Sequence, residues 1–466
     1  MDTTSKFIQR VGQNKHFKII DAATGKEYSW KDVTEAGSFP DMGGCLAFLY
    51  IDNSINSLIA FFNFYAAGAA LVLLPKNLQQ ERKNLLEETY SPAIIFDESR
   101  NDIQSKTFTT SGQLSWHQST ILNTQSLNPV HPKIKILLST SGTTGSPKLV
   151  KLSEENLLAN ADSILGYLPI EHADITPLNM PVFYSYGLSV LTTHSLKGGT
   201  MVCGLADVVQ KEFWQQWAQF GFTSLAGVPF SYEMLDRIGF FKKELPTLKY
   251  FTQAGGKLNE ALVVKAATYA VGNHKEFYVM YGQTEATARM SYLPPAETLN
   301  KPGSIGIAIT GGKFSIDNET NELLYCGKNV FGGYAENKAG LTSYEQPEFL
   351  RTGDVAKMDN DRFVYITGRL KRFVKLFGNR IGLDEMEEII KNRFGLQAIA
   401  CNGSEDKFLL ITHTDGIADK TSITAFLFSG FGIHPTAIRW NAVAALPLTA
   451  NGKIDYQQIQ IDYDGR

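Results

Sequence analysis

The sequence predicts an α/β protein in which a large N-terminal domain of layered, mostly parallel sheets plus a small β-barrel-like sheet precedes a small α+β C-terminal domain. Three observations carry this. Over the first 280 residues, apolar runs at 45–51, 71–74, 93–96, 134–138, 200–203 and 224–228 alternate with segments of helical apolar spacing. That is the pattern of strands covered on both faces by helices. From about residue 303 to 365 the runs shorten and are broken by Gly, Asn and Asp, as in GGKFSIDNETNELLYCG, which reads as a small antiparallel sheet or barrel. After Gly368 the basic run Arg369-Leu370-Lys371-Arg372 leads into a strand at 373–377, and Asp384 heads a helix with Glu387 at capping-box distance. A boundary is expected near residue 369, giving domains 1–368 and 369–466, and 466 residues exceed one ordinary core.

In chain order, Met1-Asp2-Thr3-Thr4-Ser5-Lys6 has no apolar core behind a basic head, so no secretory signal is read and a cytoplasmic protein is expected. The stretch 57–75, SLIAFFNFYAAGAALVLLP, is nearly long enough to cross a bilayer, but Asn63 and Gly68 interrupt it. It reads as a buried helix, a glycine turn and a core strand, not an integral membrane segment. Further on, Ser153 caps a helix with Glu154 and Glu155 in its first turn and Leu157, Leu158, Ala161, Ile164 and Leu165 on one face. The segment 139–148, STSGTTGSPK, is thereby expected to join the strand at 134–138 to that helix.

This segment has the makings of a polyphosphate loop. Gly142 and Gly145 let backbone N–H groups approach phosphate oxygens, the hydroxyls of Thr140, Ser141, Thr143 and Thr144 add donors, and Lys148 adds positive charge, which points to ATP. It is not the G-x-x-x-x-G-K-[ST] loop, because its glycines are three apart and Pro147 precedes the lysine. Composition narrows the rest. Lys plus Arg total 44 against 47 Asp plus Glu, a net charge of −3 that offers no basic field for nucleic acid. Four cysteines stand far apart in apolar contexts and read as buried reduced thiols, and eight histidines show no metal-ligand spacing, so a metal should arrive with the nucleotide.

Five further stretches follow the loop: Tyr281-Gly282-Gln283-Thr284-Glu285; Asn321-Glu322-Leu323 through Gly327 with Gly333-Tyr334; Arg351-Thr352-Gly353-Asp354; Gly368-Arg369-Leu370-Lys371 onward to Gly378; and Pro447-Leu448-Thr449-Ala450-Asn451-Gly452-Lys453. In this order the set resembles the AMP-forming adenylating superfamily of acyl-CoA synthetases, adenylation domains and luciferases. The resemblance implies that a carboxylate attacks the α-phosphate of ATP, releasing pyrophosphate, and that a thiol then takes the acyl group. It makes Glu285 the Mg²⁺ ligand, Thr284 an α-phosphate contact, and Tyr281, Gly282 and Gln283 with the Gly255-Gly256 backbone the lining of the nucleotide and acyl sites. Tyr184, Gly255, Met280 and Gly282 then border the acid pocket, Asp354 accepts from the ribose hydroxyls and Arg369 reaches the same ribose. It further implies that Lys453 bridges carboxylate and α-phosphate, that Lys371 is the hinge of a mobile C-terminal domain, that Lys375 serves the second step, and that Gly378 keeps a pantetheine channel open. A surface position is expected for Arg372.

Two departures, Leu149 and Asn321 in place of glycines, carry no catalytic atoms. Tyr184 stands where many CoA-forming relatives have histidine, and the aspartate that holds an amino acid's ammonium is missing, so an apolar or aromatic carboxylate is expected. The implied cofactors are ATP, Mg²⁺ and CoA or the phosphopantetheine of a holo carrier protein; the implied partners are a small carboxylic acid and that thiol. Three readings stay open: a stand-alone ligase to CoA, an acyl-AMP ligase loading a separate carrier, and a non-catalytic acyl- or nucleotide-binding relative.

Overall fold

The computed structural model describes residues 5–34, 41–99, 105–109, 113–118, 130–139, 148–370, 372–376, 379–396, 399–404, 407–414, 420–449 and 453–465. The chain divides into two compact units, one of residues 1–313 with 326–350 and the other of residues 314–325 with 351–466.

In the larger unit the apolar runs become the central strands of an eight-stranded sheet. Leu46–Ile51, Ala70–Pro75, Ile94–Phe96 and Ile134–Ser139 lie parallel. Antiparallel strands flank them at both edges. Every residue of Leu46–Ile51 is buried, as a strand covered on both faces requires. The long apolar stretch resolves into the helix Ile55–Ala66, a turn with Gly68 at φ +87°, and the strand Ala70–Pro75. Among the described residues no helix is long and apolar enough to cross a membrane. A five-stranded sheet sets Ser224–Gly227, Tyr250–Gln253 and Glu276–Tyr281 parallel, then adds Ser291–Leu293 and Ile307–Ala308 antiparallel. A four-stranded sheet carries Ile175–Pro177, Thr200–Cys203 and Lys18–Asp21 in parallel with Glu27–Ser29 at its edge.

One local expectation is overturned. After Lys148 the chain forms the strand Leu149–Ser153, antiparallel to Ile134–Ser139, before the helix Glu154–Leu165 begins. The loop therefore joins two antiparallel strands, and the helix N-terminus lies a strand's length beyond it. Burial decides this: all five residues of the strand are buried, even Lys151, whose ammonium donates to the carbonyl oxygens of Gly340 and Ser343. The helix starts as expected at Ser153, but Asn156 completes the capping box.

The smaller unit contains most of a four-stranded sheet with strands Gly312–Ile316, Glu322–Gly327, Leu350–Met358 and Val364–Arg369. Beyond it, the hairpin Phe373–Leu376 with Asn379–Gly382, the helix Leu383–Phe394 and the sheet of Ile399–Ser404, Phe408–Thr414 and Ile438–Val443 share a core of Val374, Ile390, Cys401, Leu409, Ile411 and Leu427. Here Asp384 does not cap. Gly382 holds the cap position, and Asp384 and Glu387 both turn to Arg372, which is not a surface residue but a largely buried one. The cysteines are free thiols; Cys203 and Cys401 are buried, whereas Cys45 and Cys326 are half-buried.

Candidate active site

The segment that carries the acidic motif is built from close backbone approaches. The strand Glu276–Tyr281 runs into Gly282, where a Cβ atom would stand 1.7 Å from the Ala288 carbonyl oxygen and 2.9 Å from the Arg289 Cα. Only glycine fits there. Gln283 is extended, Thr284–Ala286 form one 3₁₀ turn, and Thr287 follows at φ +66°, ψ −57°. Positive φ at a buried β-branched residue is strained. The Ala288 N–H donates to the Ala286 carbonyl across this turn, and the Thr287 hydroxyl donates to the Asn329 carbonyl at 2.7 Å. Asn329 returns the contact: its amide donates to the carbonyl oxygens of Ala286 and Arg289 at 3.0 and 2.9 Å. The strain is thus held by hydrogen bonds from outside the turn, as at sites where one backbone conformation must be kept.

Glu285 leaves this turn beside two residues from elsewhere in the same unit. The Tyr334 hydroxyl donates to a Glu285 oxygen at 2.8 Å, the Phe331 N–H donates to the Glu285 carbonyl, and the Lys148 ammonium lies 3.4 Å from the centre of the Tyr334 ring. Burial and the adjoining Glu285 carboxylate push the Tyr334 phenol well above its ordinary pKa, so it remains a donor. One aromatic ring therefore couples the cation that ends the phosphate loop to the carboxylate of the acidic motif. Thr140, Ser141, Gly142, Thr143, Thr144 and Gly145 lie outside the described residues. Glu285 with phosphate oxygens is a donor set suited to Mg²⁺, which takes few protein carboxylates and keeps substrate oxygens and water. Among the described residues no group of three or more His, Cys, Asp or Glu forms a cage.

A second constellation lies behind the motif. Gly255 has φ +85°, and a Cβ there would meet the Tyr184 hydroxyl at 2.8 Å; one on Gly256 would meet the Pro229 ring at 3.1 Å. Tyr184 and Met280 belong to one buried cluster with Tyr186, Tyr250 and Tyr278, against which Tyr167 and Tyr292 pack. Tyr167 and Tyr292 stack with ring centres 4.0 Å apart. Amid these rings is Arg289, 4% exposed, its guanidinium carbon 3.9 Å from the centre of the Tyr186 ring and its Nε donating to the Met280 sulfur at 3.3 Å. Sequence reasoning passed over Arg289. The available signal was an arginine set between Ala288 and Met290, four residues beyond Glu285.

In the smaller unit, Asp354 and Arg369 face each other across paired strands, with Arg369 Nε 3.0 Å from an Asp354 oxygen. Gly353, at φ +75° within the strand Leu350–Met358, precedes Asp354, and its N–H donates to Glu322 at 2.9 Å. The Thr449 N–H donates to the Lys453 carbonyl at 2.7 Å, and the Lys453 N–H donates to the Thr449 hydroxyl at 3.2 Å. Lys371 and Gly378 lie outside the described residues, and of Lys375 the backbone alone is described, paired with Arg380.

The family model described as AMP-binding enzyme matches residues 45–335. An oxalate–CoA ligase of Arabidopsis thaliana is 26% identical over 339 residues, a match covering 68% of this chain and 65% of that protein, so the chain spans just under two thirds of that relative's length. A D-alanine–D-alanyl carrier protein ligase of Bacillus licheniformis is 26% identical over 356 residues, 70% of each. Among solved structures, the o-succinylbenzoate CoA synthetase of Bacillus subtilis in complex with its acyl-adenylate superposes with a TM-score of 0.78 over 98% of each chain at 18% identity. That likeness extends to the α/β fold and its two-part architecture.

Proposed function

From the premise that this chain belongs to the AMP-binding enzyme family, we propose that it is an ATP-dependent acid–thiol ligase. A carboxylate oxygen attacks the α-phosphorus, the bond to the β-phosphate oxygen breaks, and pyrophosphate leaves; the thiol sulfur then attacks the acyl carbon and AMP leaves. The observation that carries the reading is the Lys148–Tyr334–Glu285 constellation, which joins a phosphate-loop cation to the acid of the YGQTE motif through one phenol.

Each role follows from charge. The loop Thr140 to Lys148 holds the β- and γ-phosphates that depart, and Thr284 donates to the α-phosphate. Mg²⁺ bound through Glu285 would neutralise phosphate charge. Asp354, acceptor-only when ionised, suits two ribose hydroxyls, and Arg369, 3.0 Å from it, reaches the same ribose. Lys453 supplies positive charge as the carboxylate approaches the α-phosphate; a single well-placed donor to developing charge is worth about 3 kcal/mol. With domain 369–466 turning about Lys371, Lys375 and the Gly378 backbone serve the thiol step.

CoA is the favoured acceptor. The carrier-protein acceptor is the second reading, favoured by the carrier-protein ligase among the relatives. Carboxylate-dependent exchange of labelled pyrophosphate into ATP over an acid panel tests the first step, and adding CoA or a holo carrier protein identifies the thiol. Exchange with no acid would support the non-catalytic reading. Lys453→Ala should lower exchange by roughly 10²-fold or more while synthetic acyl-adenylate is still converted to thioester; equal loss of both steps would contradict the assignment.

A further inference from the structure

Arg289 is buried without an anion. Its backbone is pinned on both sides: the N–H donates to the Asn160 side-chain oxygen at 3.3 Å, and the carbonyl accepts from Asn160 and Asn329 at 2.8 and 2.9 Å. Gly282 lets this backbone lie flush against the acidic motif. The guanidinium meets the Tyr186 ring, the Met280 sulfur and the Tyr167 hydroxyl, and among the described residues no carboxylate lies within ion-pair distance of it.

None of its neighbours supplies negative charge. Burial pushes the phenols of Tyr167, Tyr184 and Tyr186 above their ordinary pKa, so all three are neutral. His194, which lines the same cavity, is pushed down to about 4 by burial and is neutral too. That cavity, about 20 Å³, has room for a water and presents no anion to the guanidinium. Ring faces attract a desolvated cation, but by less than an ion loses on leaving water. A guanidinium held in such a place is completed by an oxyanion, which its planar fork grips in bidentate fashion.

The occupant is defined by what borders Arg289. Met280 touches the guanidinium, Tyr184 feels its charge, and the Tyr184 hydroxyl closes on Gly255, so Arg289 lies at the wall of the acid pocket proposed above. We propose that Arg289 is the specificity-determining residue of that pocket and binds a second carboxylate of the acid, so that the substrate class is dicarboxylic acids activated at one end. This rests on the ligase reading, and it replaces the expected apolar or aromatic acid with one that carries an anion at its far end.

The test is pyrophosphate exchange with matched pairs, each dicarboxylic acid beside the analogue whose second carboxylate is a methyl group. The diacid of the best pair should be favoured in kcat/KM by roughly 10²-fold or more, because a site built to pair a polar group rejects an analogue lacking it. Arg289→Met should remove that preference, and Arg289→Lys should retain part of it. A wild-type enzyme indifferent to the second carboxylate, or a preference that survives Arg289→Met, would overturn the proposal. If no acid supports exchange, the ligase reading fails separately, and calorimetric titration with the same pairs decides: diacid binding that Arg289→Met abolishes supports the role, and equal binding of both members refutes it.

Discussion

Arg372 and Arg289 are both withdrawn from water, one in each compact unit, and their surroundings are opposite. Arg372, 17% exposed, is paired with Asp384 and, at 2.8 Å, with Glu387; it lies 3.6 Å from the centre of the Tyr456 ring, and it donates to the Cys401 carbonyl. Glu387 in turn accepts from the Cys401 N–H and the Tyr456 hydroxyl, so the helix Leu383–Phe394, the strand Ile399–Ser404 and Tyr456 are tied to one ion pair. Burial opposes the charge on Arg372, and Glu387, Tyr456 and Asp384 outweigh it, raising its pKa. Arg289 has rings, a sulfur and a hydroxyl, but no carboxylate. The difference separates two uses of a buried cation: a charge neutralised from within organises its own core, whereas one left unneutralised is completed by a ligand.

The largest effect that would break this comparison is on stability. Arg372→Met should cost about 3–5 kcal/mol in urea or thermal unfolding, because it leaves Asp384 and Glu387 buried without their cation. Arg289→Met should cost far less, since it strands no carboxylate. Equal losses would mean that Arg289 is as structural as Arg372. A smaller effect is expected at Asn329. Asn329→Ala removes the donor to Ala286 and Arg289 and should cost about 1–3 kcal/mol. It should also slow exchange by freeing the Thr287 turn beside Glu285, and unchanged exchange with reduced stability would show that the strain is not used by the site.

A pH-dependent effect, absent at neutral pH, concerns His194, the neutral neighbour in the cavity beside Arg289, whose ring contacts the Val190 carbonyl and the Tyr250 hydroxyl. Its pKa is about 4 when folded and ordinary, 6.5, when exposed. Between these values the unfolded chain takes up a proton that the folded chain refuses, so the stability tied to a neutral His194 is complete above pH 6.5 and declines as pH falls toward 4. Urea midpoints across that range should fall more steeply for the wild type than for His194→Gln. Parallel curves would show that His194 does not titrate on unfolding.

Much of this architecture is legible in the residues because the signals are local. Runs such as Ile134 to Leu138 are apolar enough to be buried on both faces wherever they pair, and Ser153 followed by two glutamates starts a helix in most contexts. The strand Leu149–Ser153 was not legible, because Lys151 interrupts its apolar pattern and only the carbonyl oxygens of Gly340 and Ser343, almost two hundred residues away, make its burial tolerable. Asp384 and Glu387 looked like capping residues for the same reason, their partner being visible only once the hairpin folds back.

The sequence by itself determined the class of the fold and the ordered motifs by which the chain is placed in its family, since both depend on periodicity and spacing along the chain. Tertiary structure alone decided that Tyr334 links Lys148 to Glu285, that Arg372 has two carboxylates and that Arg289 has none. A charge is the same letter in either setting; its cost, and therefore its use, depends on which neighbours from distant segments replace the water it gives up.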